Sequence, residues 1–483
     1  MAKLKITGKE LRSIGYPQSP VISMAMHIME KKFKHLPHAD ALEILSSILQ
    51  SPNQYADDEI LGKIAAELIP KPKVSGDEIP LNDKGLPFNV FGAEGIELGA
   101  LQQMQTAVRL PVAVAGALMP DAHQGYGLPI GGVLATENAV IPYGVGVDIG
   151  CRMCLSIFDI DVKDLDSKES FFSRELAEAT VFGSGGRLAK PVDHEVLYRK
   201  EFNEIGLLKG LQDRAEKQLG TSGSGNHFVE FGVVELKEKD AVLGIEAGTY
   251  LGLLSHSGSR GLGANIANHY TKVAKEKRRL AGEAQNLAWL SLEEQEGVEY
   301  WLAMNLAGDY ASACHHVIHQ KIAKQIGREP IKMVENHHNF AWKERWEGKE
   351  VIVHRKGATP AGKNVLGIIP GSMATPGFIV KGRGEHASIN SAAHGAGRRL
   401  SRTAAIKSVT HKELNEALAR EGIKLMGGGL DESPMAYKDI HEVMNAQKSL
   451  VETVGLFYPK IVRMDGTAPK QWKKKKSNEI LGE

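Results

Sequence analysis

Residues 119–154 read MPDAHQGYGLPIGGVLATENAVIPYGVGVDIGCRMC. The stretch holds an Asp-x-His, two glycine-rich turns and a short apolar run, then Asp148 and Cys151 three residues apart. Glycines at this density let the backbone approach a ligand closely and adopt positive φ. Asp148 supplies a hard oxygen and Cys151 a soft sulfur within one turn of each other. A thiolate beside a carboxylate suits a divalent transition metal such as Mn²⁺, Zn²⁺ or Co²⁺. The plainer alternative is a buried cysteine next to a turn-forming aspartate, because free Cys usually behaves as a small hydrophobe.

Outward from this stretch the chain has the composition of a globular protein. Of its 483 residues, 42% are hydrophobic and 24% charged, values typical of soluble domains. No apolar run reaches the roughly 18 residues of a membrane-spanning helix. The N-terminus, MAKLKITGKELRS, lacks the apolar region of a secretory signal. Three cysteines in so long a chain point to a reducing compartment, so a cytoplasmic location is expected. The net charge is only +1, so a polyanionic partner has to meet local basic patches.

Residues 1–75 read as a helical extension. Ser19-Pro20 is a helix start, followed by Val21, Ile22, Met26, Met29 and Phe33 on one broad face. Asp40 is a candidate cap for a second helix carrying Leu42, Leu45, Ile48 and Leu49. Asp57 or Asp58 opens a third, with Ile60, Leu61, Ile64 and Leu68, and Pro70, Pro72 and Gly76 close the segment. From residue 76 to 466 short apolar runs alternate irregularly with long helical stretches. Residues 112–118, 131–135, 241–247 and 351–354 suit strands. Ser291-x-x-Glu294 reads as a capping box opening a helix that runs to Ile326. Without regular alternation or a strand followed by GxGxxG, a mixed α+β fold is expected. Residues 467–483 form a basic tail in which Trp472 precedes four lysines, a pattern suited to stacking on a base beside phosphates.

Four further segments carry chemistry. GTSGSGNHFVEFG (220–232) places Asn226-His227 between a Gly/Ser-rich turn and a strand, and such a turn aims backbone N–H groups at phosphate. HSGSRGLG (256–263) sets His256 and Arg260 among small residues, and arginine there suits bidentate phosphate contacts. NHHNF (336–340) supplies His337 and His338. HGAGRRLSR (394–402) supplies His394, with glycines that leave room for a bulky group and arginines that suit its phosphates. A histidine forming a phosphoramidate needs that environment. His315 and His319 share one helix face. They lack the Glu of HExxH, and Cys151-x-x-Cys154 is only half a zinc ribbon. His315, His319 and Cys154 are therefore read as structural.

The ordered motifs MPDAHQGYGLPIGG, VGVDIGC, GSGNHFVEFG, HSGSRGLG, HHNF, VHRKGATPAG, IPGSMAT, GEHAS, HGAGRRLSR, DESPMAYKDI and AQKSLVETV, from residue 119 to about 455, resemble the RtcB family of RNA ligases. The resemblance implies an RtcB-like α+β catalytic domain over 76–466 with a central metal and nucleotide cleft. It implies joining of a 2′,3′-cyclic phosphate or 3′-phosphate RNA end to a 5′-hydroxyl, in RNA repair or tRNA splicing, at the expense of GTP. It further implies two Mn²⁺ ions bridged by Cys151, with Asp148 and His227 completing one and His256 and His338 the other. His394 would take GMP from GTP. Asn226 and Arg260 would contact phosphates. Glu230, Ser372, Ala396 and Gly397 would line the nucleotide pocket, with Glu230 reading the guanine. The partners implied are RNA with broken ends and GTP, with room for an accessory activating protein and no membrane. The competing reading within enzymes is an RNA-end nucleotidyltransferase or metal phosphodiesterase that does not seal. The sequence departs from the family pattern at Arg152 and Gly377-Phe378, and at Cys314-His315. Asp465 also stands where a guanine-binding lysine is expected.

Overall fold

The structure is a computed structural model that describes residues 4, 6–17, 21–69 and 78–466. The Ser19-Pro20 helix start, the closing Pro70, Pro72 and Gly76, and the basic tail with Trp472 lie outside the described residues. The chain forms two compact units, Met1–Asp77 and Glu78–Glu483.

The first unit contains helices Gly8–Ser13, Val21–Lys32, His38–Gln50 and Gly62–Leu68. Leu11, Ala25, Met29, Leu45, Ile48 and Ile64 are fully buried in a core of their own. Asp40 does not cap the second helix. Pro37 precedes the first turn and Asp40 lies inside that turn, where a carboxylate still complements the helix dipole. Asp58 does organise a start: its Oδ1 accepts from the Ile60 and Leu61 backbone N–H groups at 2.8 and 2.7 Å.

The second unit is mixed α+β, as expected. Its largest sheet runs in the order Leu366–Ile369, Gly377–Gly382, Val451–Met464, Phe228–Leu236, Gly248–Ser257, Arg152–Phe158 and Lys332–His337. A short strand, Lys424–Met426, pairs with Val451–Met464 in parallel. A second sheet runs Phe88–Val90, Ala113–Tyr126, Leu128–Thr136, Lys349–Lys356 and Asn339–Trp346. His338 is the single residue between a strand of each sheet, and its backbone N–H donates to the Cys151 carbonyl at 3.0 Å. The short pair Ala358–Pro360 and Ser391–Ala393 ends immediately before His394.

The stretch 241–247 is not a strand. Asp240 Oδ1 accepts from the Val242 and Leu243 N–H groups, both at 2.8 Å, and this Asx turn bends the backbone away from a ladder. The strand begins at Gly248 instead. The capping box at Ser291 does not form either. Ser291 pairs with Ala139 in a short antiparallel bridge, and the helix starts at Gln295 behind Glu294, whose side chain makes no cap hydrogen bond. That helix does reach Ile326, where Gly327 ends it in the left-handed region at φ +66°.

Close backbone approach explains a glycine of the opening stretch. Gly131 has φ +83°, and a Cβ there would lie 2.7 Å from the Ala122 Cα. Gly244 has a similar φ of +77° but nothing within 4 Å of its would-be Cβ. Gly244→Ala therefore incurs only the left-handed backbone cost, about 1–2 kcal/mol. Gly131→Ala adds a backbone collision to it. Thermal unfolding of the two variants should show the larger fall in midpoint for Gly131→Ala; equal shifts would mean the Ala122 contact relaxes freely.

Candidate active site

Four neighbouring strands of the large sheet bring one end of each to a common point. His227 immediately precedes Phe228–Leu236, Cys151 precedes Arg152–Phe158, His338 follows Lys332–His337, and His256 lies near the end of Gly248–Ser257. The register pairs Phe228 and Met153 with His256, and Arg152 with His337. Adjacent strands lie about 4.8 Å apart, so side chains at these ends meet without any long loop.

The contacts are unusual for a site without a cation. Cys151 Sγ lies 3.2 Å from His256 Nε2 and 3.6 Å from His227 Nε2. His256 Nε2 and His338 Nε2 are 3.3 Å apart, and Asp148 Oδ2 is 2.9 Å from His227 Nε2. The other ring nitrogens are committed elsewhere. His227 Nδ1–H donates to the Ser222 carbonyl at 2.9 Å, and His256 Nδ1–H donates to the Asn226 carbonyl at 3.1 Å. Each Nε2 is then a bare lone pair facing other acceptors. His338 Nδ1 is buried without a partner.

Electrostatics point the same way. Burial holds His256 neutral, its pKa lowered to about 3, and pushes His338 well below the usual range. Burial raises the Asp148 carboxyl, but His227, Cys151 and His256 outweigh it and hold it at about 2. A carboxylate and a bare imidazole nitrogen repel unless positive charge lies on or between them. Burial, then the neighbouring Asp148, pushes the Cys151 thiol well up, so a thiolate here requires a cation, which would expel the proton on binding. A carboxylate, a thiol and three imidazoles so placed fit a divalent metal.

A second cluster, Cys154, His315 and His319, also has its donor atoms close together. Its hydrogen bonds differ in kind. One proton arrangement satisfies every ring nitrogen. Ser156 donates to His319 Nδ1 at 2.8 Å, and His319 Nε2 donates to Ser255 Oγ at 2.7 Å. Ser255 donates to His315 Nδ1 at 2.6 Å, and His315 Nε2 donates to the Ser257 carbonyl at 3.2 Å. This network braces the strand that carries His256 and leaves no lone pair over for a metal.

His394 stands beside the first cluster, its ring centroid 4.8 Å from that of His338. The fully buried Asp121 fixes it. Asp121 Oδ2 accepts from the His394 backbone N–H at 3.1 Å and from Nδ1–H at 2.6 Å. His394 Nε2 is the ring nitrogen that Asp121 does not hold. Lys438 braces the Asp121 backbone through the Pro120 and Ala122 carbonyls, at 3.2 and 2.7 Å. At Gly397, φ +74°, a Cβ would lie 2.2 Å from the Asp121 carbonyl oxygen, so only glycine lets the 394–397 turn pack there.

One cavity of about 380 Å³ is lined by Asp148, Cys151, His256, His338 and His394, and also by Asn226, Glu230, Ser372, Ala396 and Gly397. His227 is reached through Asp148 and Cys151. Arg260 is placed differently: its guanidinium donates to Thr221 Oγ1 at 3.1 Å and to the Gly183 carbonyl at 2.9 Å, and it does not line the cavity. Glu230 is deeply buried, and burial raises its carboxyl well above the usual range. Asp121 was visible in the sequence as part of Asp-x-His, without a role. Lys356 was missed. It lines the cavity, donates to the Tyr126 and Tyr143 carbonyls at 2.6 and 3.2 Å, and is pushed by burial to about 7. Two of the three arginines after His394 line the cavity and are engaged with acids: Arg398 with Glu432 at 3.1 Å, and Arg402 with Asp431 at 2.6 Å and with Glu432.

Residues 103–465 match the family model described as tRNA-splicing ligase RtcB. The chain belongs to the RtcB family. It is 32% identical over 392 residues to the RNA-splicing ligase RtcB of Escherichia coli strain K12, covering 74% of this chain and 92% of the relative. It is 30% identical over 447 residues to the tRNA-splicing ligase RtcB of Nanoarchaeum equitans, covering 77% and 94%. It is 32% identical over 429 residues to that of Archaeoglobus fulgidus, covering 72% and 87%. Two departures from the RtcB pattern are accommodated locally. Arg152 is buried, with Nη1 3.1 Å from Glu335 and Nη2 donating to the Gly308 carbonyl at 2.8 Å. His315 belongs to the serine–histidine network.

The contrast between the clusters is testable by metal analysis after equilibrium dialysis. Cys151→Ala should weaken binding of a divalent metal by at least about tenfold, and Cys154→Ala should leave metal content unchanged. The reverse pattern would place the metal in the second cluster.

Proposed function

We propose that this RtcB-family chain is a GTP- and Mn²⁺-dependent RNA ligase that joins 2′,3′-cyclic phosphate or 3′-phosphate ends to 5′-hydroxyl ends through a histidine–GMP intermediate. The observation that carries the reading is the His394 ring, held through Nδ1 by buried Asp121 in the wall of the cavity that Cys151, His256 and His338 also line. The printed names of the relatives, RNA-splicing and tRNA-splicing ligases, agree with it.

Asp148 and His227 with Cys151 would hold one Mn²⁺, and His256 and His338 with the same thiolate the other. Ions bound there supply charge neutralisation to phosphate oxygens. The chain's own residues do the rest. His394 Nε2 attacks the α-phosphorus of GTP; a P–N bond forms and the bond to pyrophosphate breaks. Asp121 stabilises the positive charge that develops on the imidazole and keeps the attacking nitrogen aimed. Water first opens a 2′,3′-cyclic phosphate to a 3′-phosphate; an oxygen of that phosphate then takes the GMP from His394 as the P–N bond breaks. The 5′-hydroxyl of the second strand attacks that phosphate, and GMP leaves.

Lys356, with a pKa near 7 when the cavity holds no anion, becomes fully charged when a phosphate arrives beside it. Asn226 and Ser372 face the phosphates and nucleotide, and Ala396 and Gly397 leave space beside His394. Glu230 reads the guanine edge. Its neutral carboxyl gives up a proton as the ring N–H and amino donors of the base come within reach. The reacting ends are single-stranded RNA, and among the described residues no helix is long and apolar enough to cross a membrane.

Incubation with GTP labelled at the α-phosphate, with Mn²⁺, tests the reading. The wild-type chain should label itself through an acid-labile, alkali-stable bond. His394→Ala should show no label yet still join RNA that already carries a 3′-terminal diphosphoguanosine. Asp121→Asn should label about 10³–10⁴-fold more slowly, as when the orienting acid of a histidine is lost. Label on another residue, or undiminished label in His394→Ala, would contradict the assignment.

A further inference from the structure

The hairpin of strands Ala113–Tyr126 and Leu128–Thr136 has two faces near its tip. His123 and Ile130 line the cavity of His394. On the other side, Gln103, Gln124, Gly125, Tyr126, Gly127, Glu283 and Asn286 are among the residues around a separate polar recess of about 130 Å³. Resting on the ligase reading above, we propose that this recess and the Tyr126 ring hold a nucleobase of the RNA strand next to the break.

Three observations support it. Tyr126 is a large aromatic left 69% exposed, although its backbone carbonyl accepts from Lys356 in the cavity wall at 2.6 Å. An exposed ring anchored at the edge of a reaction cleft is a stacking platform, and bases stack on such rings regardless of sequence. The recess is also rigidly built. The Gln103 side-chain amide donates to the Gly125 carbonyl at 2.7 Å and accepts from the Gly125 N–H at 3.0 Å. Gly127, at φ +72°, lets Asn286 approach so closely that a Cβ would meet its Cβ and carbonyl oxygen at 3.0 Å. Finally, the recess offers base-reading groups. Lys275 donates to Asn286 Oδ1 at 2.7 Å, which occupies the amide oxygen and leaves the NH₂ of this recess residue as a donor. Glu283 adds an exposed carboxylate acceptor. An amide donor beside a carboxylate acceptor matches a base edge bearing an exocyclic amine. It does not match a phosphate, which the carboxylate would repel.

Placement ties the two sites together. His123 of the cavity and Gln124 of the recess are consecutive residues, and the Tyr126 carbonyl accepts from Lys356 of the cavity wall, so the recess adjoins the cleft that holds His394. The recess would thus favour unpaired ends over ends sealed in a duplex.

RNA strands carrying 2-aminopurine at each of the last three nucleotides, in turn on the 3′-phosphate and 5′-hydroxyl sides, test this by fluorescence with the full-length protein. Wild-type protein should quench one position strongly. Tyr126→Ala should abolish that quenching and raise the KM for RNA between about fivefold and 100-fold with a smaller change in kcat. Tyr126→Phe, which keeps the ring, should restore both. Transfer of GMP to His394, measured in parallel, reports on the catalytic cavity. A wild-type protein that forms the GMP adduct and joins RNA but quenches no position, or whose Tyr126→Ala variant matches it in KM, overturns the recess alone. A wild-type protein that joins no RNA overturns the ligase reading and this inference with it.

Discussion

The structure depends on a repulsion that must be cancelled. Neutral imidazole nitrogens, an ionised carboxylate and a cysteine sulfur converge at about 3 Å in a buried space, with the opposite ring nitrogens of His227 and His256 already tied to carbonyls. The arrangement is stable in a folded chain because the four strands that deliver these groups are hydrogen-bonded neighbours, so the sheet fixes their approach. Positive charge placed among them turns the repulsion into ligation. His394 stands beside these groups, its ring 4.8 Å from that of His338 and held through Nδ1 by Asp121.

The Cys154–His315–His319 network shows the same residue types used the other way. There Ser156 and Ser255 interleave donors between the rings, burial keeps both histidines neutral, and every nitrogen finds a partner. Sulfur and imidazole within reach of one another do not define a metal site. What separates the two clusters is whether the lone pairs are already satisfied.

Much of this was legible in the sequence, for identifiable reasons. Glycine density around residues 119–154, and histidines flanked by small residues, mark places where backbone packs closely, as Gly397 does against the Asp121 backbone. The helix ending at Gly327 was legible because a strong apolar period met a C-terminal glycine. The helix start at Ser291 was not, since a pairing with Ala139, distant in sequence, claimed that serine. Nor was the strand reading of 241–247, where a local aspartate side chain outbid the apolar pattern. Long-range partners also hid the electrostatics. The arginines after His394 suit phosphates in the sequence, yet Arg398 and Arg402 pair with Glu432. Lys356 lay within the motif VHRKGATPAG without an assigned role, because its depressed pKa comes from burial that only the fold creates.

The central claim is that one thiolate and three imidazoles share bound metal at the ends of four adjacent strands. X-ray absorption at the manganese edge, on the full-length protein loaded with Mn²⁺, reads those ligands directly. A sulfur scatterer together with imidazole nitrogens in the first coordination shell is the predicted result. A shell of oxygen and nitrogen alone, without sulfur, would contradict it.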